Sequence, residues 1–127
     1  NINEYITNTQ RAIGQLSGLN KNKVIINLNP SNPPVNMMNS IFFECKKIDY
    51  KKIKKADFVL KKINKTIKKY IPGYNAKLFF QKNENFFRVT IRVVGIGDYL
   101  STFAGNLDII TSSSAYIGKL LNEKYYN

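Results

Sequence analysis

Histidine is absent from the 127 residues, and cysteine occurs once, at Cys45. One thiol cannot close an internal disulfide, and without histidine it lacks the usual base that activates a thiol for nucleophilic attack. Two further features are missing: an N-terminal leader with a small-residue cleavage site, and any unbroken apolar stretch of the roughly 18 residues that a membrane-spanning helix requires. These absences lead to the expectation of a reducing, cytoplasmic setting and no membrane. The chain starts at Asn1 without an initiator methionine, which suggests a fragment or processed product. Acidic residues are scarce, 8 against 20 Lys and Arg, for a formal net charge of +12. Such a balance attracts polyanions. However, 17 of the cations are lysine and asparagine is equally abundant, so compositional drift accounts for the excess as readily as a partner does. Nucleic acid is not expected, because base-reading sites favour arginine interleaved with aromatics.

What is present suits a folded globule. Hydrophobic residues make up 43% and aromatic residues 13% of the chain, enough for one domain over residues 1–127 with a core of its own. Ile6, Ile13 and Leu16 recur at helical intervals from Asn3 to about Leu16, and Ser17, Gly18 and Asn20 supply a stop. The β-branched run Lys23–Leu28 reads as a strand, closed by Asn29, Pro30, Ser31, Asn32, Pro33 and Pro34. Ile41–Lys46 reads as a second strand. Asp49 then offers an N-cap to a lysine-rich helix whose Ile53, Ala56, Leu60, Ile63, Ile67 and Ile71 form one apolar stripe.

Pro72 and Gly73 end that helix. Tyr74–Gln81 and Phe86–Val94 form a hairpin across Lys82, Asn83, Glu84 and Asn85, and Ile109–Tyr125 is the closing helix. The resulting order is αββαββα. It predicts an α+β fold with an open, mainly antiparallel or mixed sheet carrying helices on one face. In the hairpin Leu78, Phe80, Phe87, Val89, Ile91 and Val93 point one way. Phe79, Phe86 and Val94 point the other way beside Arg88, Thr90 and Arg92, with Phe42 and Ile25 expected to join them. Either another copy or domain covers this second face, or a helix of the same chain returns over it.

Three segments carry a resemblance. NINEYITNTQRAI is followed by KVIINLNPSNPPVNMMNS at Lys23–Ser40, YIPGY occupies Tyr70–Tyr74, and GIGDYLSTFAGNLDIITSS occupies Gly95–Ser113. Together they resemble, in order and over most of the chain, the C-terminal dimerisation domain of the acylating acetaldehyde dehydrogenases that follow the aldolase of aromatic meta-cleavage pathways. That domain is built like those of glyceraldehyde-phosphate-dehydrogenase-like enzymes. The Cys45–Lys69 region is the least similar, and the family has a longer connection than Lys82–Asn85 between the hairpin strands. The resemblance implies an enzyme that converts acetaldehyde, NAD and coenzyme A to acetyl-CoA and NADH. It further implies that the nucleophilic cysteine and the Gly-rich nucleotide fingerprint lie in an N-terminal domain absent from this chain, so the chain alone would not turn over substrate. Expected partners are a second copy through the sheet, the nucleotide-binding domain, and 4-hydroxy-2-oxovalerate aldolase.

Individual residues carry two readings each. Cys45, on the strand face of Ile41 and Phe43, reads as a small buried hydrophobe rather than a nucleophile. Gly95-x-Gly97 lacks the third glycine of a phosphate cradle, with Leu100 in its place, and reads as a turn. The resemblance puts Asn106, with Gly105, near the nicotinamide end of NAD; an asparagine there could equally be a helix N-cap. It places Asn1 at the end of a segment that contacts NAD, and Asn39 where the family often has an aspartate that orients the cysteine. No metal site is expected. The alternative function is a repurposed, non-catalytic binding module whose Lys46–Lys69 cationic helix takes an acidic protein or nucleic acid.

Overall fold

A computed structural model describes residues 1–28, 30–81 and 85–126, and the chain divides into two compact units, Asn1–Asn32 and Pro33–Asn127. The first is built on helix α1, Ile2–Ser17. Asn1 caps it, its side chain accepting the Asn3 N–H at 3.1 Å. Gly18 ends it in a left-handed conformation (φ 70°), which costs glycine little, and donates its N–H to Gly14 O at 2.9 Å. Gln10 Nε2 reaches the Asn22 carbonyl at 3.3 Å and ties the following segment to the helix.

The strand expected at Lys23–Leu28 does not form: these residues have no ladder partner, and Ile25 and Leu28 are exposed. β-Branched side chains favour an extended backbone, but a strand is stable only beside another strand. The observed order is therefore αβαββα. Within the Pro-rich stretch after this segment Asn29 lies outside the described residues, as do Lys82, Asn83 and Glu84 of the expected hairpin turn.

The second unit carries the sheet. Its elements are β1 (Met37–Glu44), α2 (Tyr50–Ile67), β2 (Tyr74–Phe80), β3 (Phe86–Val93) and α3 (Gly105–Tyr125). The strands order β1-β3-β2, both pairings antiparallel, so the latest strand lies in the middle. The register sets Met37 and Tyr74 opposite Val93, and Phe42 and Phe79 opposite Arg88. One face therefore gathers Tyr74, Ala76, Val89, Ile91 and Val93, and the other gathers Phe42, Phe79, Phe86, Arg88 and Arg92. This is the α+β class and the division of hairpin faces that alternation predicts. Ile25 is not in the sheet, and β1 starts four residues earlier and ends two residues earlier than the expected Ile41–Lys46.

Both α2 and α3 pack on the first face. Ile71, Tyr74, Ala76 and Val93 form its buried centre, with Met37, Leu60, Ile67, Tyr70 and Ile109 against it. Burial of Tyr74, and then the neighbouring Tyr70, pushes the Tyr74 phenol above its ordinary value of 10.0. The folded state thus favours the neutral phenol, a contribution present below pH 10 and lost as pH rises beyond it. Asp49 caps α2 as expected, accepting the Lys51 N–H at 2.9 Å. Ile63, assigned to the buried stripe, is exposed.

Asn64 takes the place of Ile63 facing the sheet. Its side chain donates to the Ala76 carbonyl at 2.7 Å and accepts the Ala76 N–H at 2.8 Å. One side chain thereby satisfies both outward backbone groups of Ala76, a residue 3% exposed on an edge strand. Replacing it leaves a buried donor and acceptor unpartnered, which costs about 1–3 kcal/mol per group. Asn64→Ala should therefore lower unfolding free energy by about 2 kcal/mol in urea titration, and Asn64→Asp, able to accept but not donate, by roughly half of that. An unchanged midpoint for Asn64→Ala would contradict this account of the β2 edge.

Candidate functional site

The end of β3 and the start of α3 are held together by glycines. Gly105 is buried, and a Cβ there would sit 2.5 Å from the Val93 carbonyl oxygen. Between them, residues 95–104 fold back on themselves. Gly95 N–H donates to Thr102 O at 2.7 Å, Ala104 N–H donates to Ser101 O at 2.8 Å, and Gly97 adopts φ 89°. Gly95 and Gly97 thus shape a turn. The rim of this loop is apolar and open, with Ile96, Leu100 and Phe103 exposed and Tyr99 fully so.

Helix α3 begins at Gly105, four residues before the expected Ile109, and its cap position is Ala104, without a side-chain cap bond. The capping reading of Asn106 therefore fails. Asn106 lies inside the first turn, exposed, and its side chain makes no hydrogen bond among the described residues. The N–H groups of Leu107 and Asp108 donate to Ala104 O at 3.0 and 3.1 Å. Asp108 turns the other way, its Oδ2 accepting the Ile96 N–H at 2.7 Å. The sequence groups Asp108 with Gly105 and Asn106 in a loop expected to close the nucleotide site, without a task of its own; the signal for one is a carboxylate in a first turn, which helix N-termini favour generally.

The remaining candidate residues belong to other elements. Asn39 sits in β1 opposite Ile91, on the helix-bearing face and two residues from Met37 of the core. No hydrogen bond joins it to Asn106 among the described residues. Asn1, in the other unit, serves as the α1 cap. Cys45 is half-buried just beyond β1. Its N–H donates to Asn85 O at 2.7 Å, and its Sγ lies 3.9 Å from Phe43 O. Neither a base nor a cation touches it among the described residues, which do not include a cluster of three His, Cys, Asp or Glu able to hold a metal. Among the described residues no helix is long and apolar enough to cross a membrane.

Two larger surfaces complete the picture. On the sheet face away from the helices, Phe42 and Phe86 meet edge to face at 5.9 Å, and the Arg88 guanidinium lies over Phe79 at 4.8 Å. Phe42 is 62% exposed and Phe79 45% exposed. With Phe80 and Gln81 these residues line a depression of about 210 Å³, and the Arg88 Nε within it is buried without a hydrogen-bond partner among the described residues. On the opposite side of the sheet, α3 holds to the core through Ile109 and through Tyr116 stacked on Tyr70 at 4.7 Å, while Leu107, Ile110, Ile117, Leu120 and Leu121 stay exposed. The lysines of α2 face solvent; Asp57 pairs with Lys61 at 2.7 Å.

The pattern for the dimerisation region of prokaryotic acetaldehyde dehydrogenase matches residues 1–101. The chain belongs to the acetaldehyde dehydrogenase family. Acetaldehyde dehydrogenase of Pectobacterium atrosepticum is 35% identical over 126 residues, covering 99% of this chain and 42% of that protein. The Bacillus cereus protein of the same name is 37% identical over 119 residues, covering 94% of the chain and 39% of its own length. The Geobacillus stearothermophilus protein gives 37% over 123 residues, with 95% and 41% covered. The chain thus spans about two-fifths of the relatives it matches.

Because Gly105 meets backbone rather than a yielding side chain, Gly105→Ala must push α3 off the end of β3. Overpacking of this kind costs about 1–3 kcal/mol. The expected outcome is a loss in that range in thermal or urea unfolding, with Gly118→Ala, where a Cβ meets nothing within 4 Å, neutral or stabilising.

Proposed function

We propose that this chain is the dimer-forming C-terminal part of an NAD-dependent acylating acetaldehyde dehydrogenase, working in the cytoplasm with a nucleotide-binding half that supplies the reactive cysteine. The open aromatic face of the sheet carries the reading. A face holding Met38, Phe42, Phe79 and Phe86 toward water is unfavourable in a lone molecule, and it occurs in a segment similar to a dimerisation region. The occupant proposed for it is a second copy. Lys77, Arg88 and Arg92 share the face with one acid, Glu44, so paired copies must be offset to bring cations to Glu44, to backbone carbonyls or to water.

The apolar side of α3 is assigned to the nucleotide-binding half. The dimerisation match stops at residue 101, before α3, whereas similarity to the Pectobacterium protein continues over 126 residues. In this reading Gly105 and Asn106 stand where that half meets the helix start. The free amide of Asn106 fits the carboxamide end of a nicotinamide, which needs both a donor and an acceptor. NAD, when bound, supplies the hydride acceptor for oxidation of the aldehyde; coenzyme A receives the acetyl group on residues outside this chain. Asn39 offers an amide in place of a carboxylate and could orient a neighbouring group but could not act as a base there. Asn1 is occupied in capping and is the weakest of the proposed cofactor contacts. A 4-hydroxy-2-oxovalerate aldolase partner belongs to the same reading, with no surface assigned to it.

Light scattering across a salt series tests the proposal. A dimer closed by apolar burial persists or tightens as salt rises, whereas a complex of the α2 lysines with an acidic partner would weaken steeply. Phe79→Asp is expected to weaken the dimer at least tenfold, about 1.4 kcal/mol, without unfolding the monomer. The chain alone should produce no NADH from acetaldehyde, NAD and coenzyme A. A monomer at all salt concentrations would remove the dimer, and turnover by the chain alone would remove the assignment of the cysteine to another domain.

A further inference from the structure

The 95–104 loop leaves the sheet at Val93 and has no strand to hold it, so its shape depends on a few polar contacts. One comes from outside the loop. Asp108, in the first turn of α3, accepts the Ile96 N–H at 2.7 Å through Oδ2. The packing there is close: a Cβ at Gly95 would stand 2.6 Å from the same oxygen and 3.2 Å from the Ser101 and Thr102 carbonyls. Asp108 and Asn106 are two residues apart, roughly 200° around a helix. While the carboxylate faces the loop, the amide therefore faces away and stays exposed.

We propose that Asp108 is a positioning residue for the cofactor: without touching NAD, it locks the loop to the first turn of α3 so that the Asn106 amide meets the nicotinamide end already oriented. The inference rests on the reading of Asn106 given above. An ionised carboxylate suits the task, because it only accepts, bonds strongly to a backbone N–H, and is favoured at a helix N-terminus. A second contact reinforces the lock, since the buried Gly105 backbone fixes the same turn against Val93. Preorganisation matters at such a place because small misplacements of a positioning group cost large factors in rate or binding.

The experiment uses the intact enzyme, nucleotide-binding half included. Asp108→Ala is expected to raise KM for NAD about tenfold while leaving KM for coenzyme A and the dimer mass unchanged. Asp108→Asn, which keeps an oxygen directed at Ile96, should recover to within about threefold of the parent. If Asp108→Ala folds poorly, Asp108→Ser replaces it, polar in the same turn but too short to reach the Ile96 amide. The deciding comparison is the double variant Asn106→Ala/Asp108→Ala, which should bind NAD no worse than Asn106→Ala alone, because the effect of Asp108 passes through Asn106. Additive losses, or an unchanged KM for NAD in Asp108→Ala while Asn106→Ala impairs it, overturn the positioning role alone. An Asn106→Ala enzyme with unaltered NAD binding overturns the reading of the site, and the positioning role falls with it.

Discussion

The second unit turns on the close approach of three backbones at the end of β3. Val93 is wholly buried; on one side the Gly73 backbone lies so near that a methyl there would overlap the Val94 carbonyl oxygen, and on the other Gly105 abuts the Val93 carbonyl. Val94 N–H donates to Gly73 O at 3.1 Å, closing the contact. Only residues without a Cβ let α2's exit and α3's entry converge on one strand end. The proposed cofactor site hangs from that junction: the loop leaves from it, Asn106 follows within one residue of it, and the core of Ile71, Tyr74 and Ala76 packs beneath it.

The sheet is finished on one side only. Its helix-bearing face is covered by α2 and α3 along β2 and β3, and the β2 edge is sealed at Ala76 by Asn64. The other face is left aromatic and wet, with a buried Arg88 Nε that lacks a partner among the described residues. A chain that spends a side chain on sealing an edge yet leaves a broad face open is consistent with a face reserved for association. The lysines of α2 do not change this balance. They are solvated, and Lys54 and Lys62 lie over Tyr50 and Phe58 at 5.0 and 4.6 Å, partly covering exposed rings of their own helix.

Periodicity was a good guide where burial followed it. Alternation separated the two faces of the hairpin because an antiparallel register preserves a period of two, and Asp49 announced α2 because a carboxylate before an apolar stripe has little other use. It failed where the partner mattered more than the pattern. Lys23–Leu28 looks like a strand by composition, yet composition cannot supply a neighbour. Ile63 looked buried by apolarity, whereas the rotation of α2 brings Asn64 inward, and nothing local signals that a strand edge awaits its amide. Asn106 resembled a cap because asparagine caps helices; the folding back of residues 95–104 moves the cap to Ala104. The task of Asp108 becomes visible only once Ile96 is seen across the loop.

The two unpartnered apolar surfaces lie on opposite sides of the sheet. Phe42, Phe79 and Phe86 are on the face away from the helices, while the exposed leucines and isoleucines of α3 belong to a helix anchored by Ile109 on the other face. One compact partner reaching only one side cannot cover both, because the three-stranded sheet stands between them. If each surface has an occupant, the unit is a bridge between two bodies, and under the proposed reading those are the second copy and the nucleotide-binding half. A bridge needs no reactive group of its own, which agrees with a half-buried Cys45 that has neither base nor cation beside it among the described residues. It does need rigidity between its two contacts, and the glycine junction at Val93, with Asp108 holding the loop above it, is where that rigidity is built.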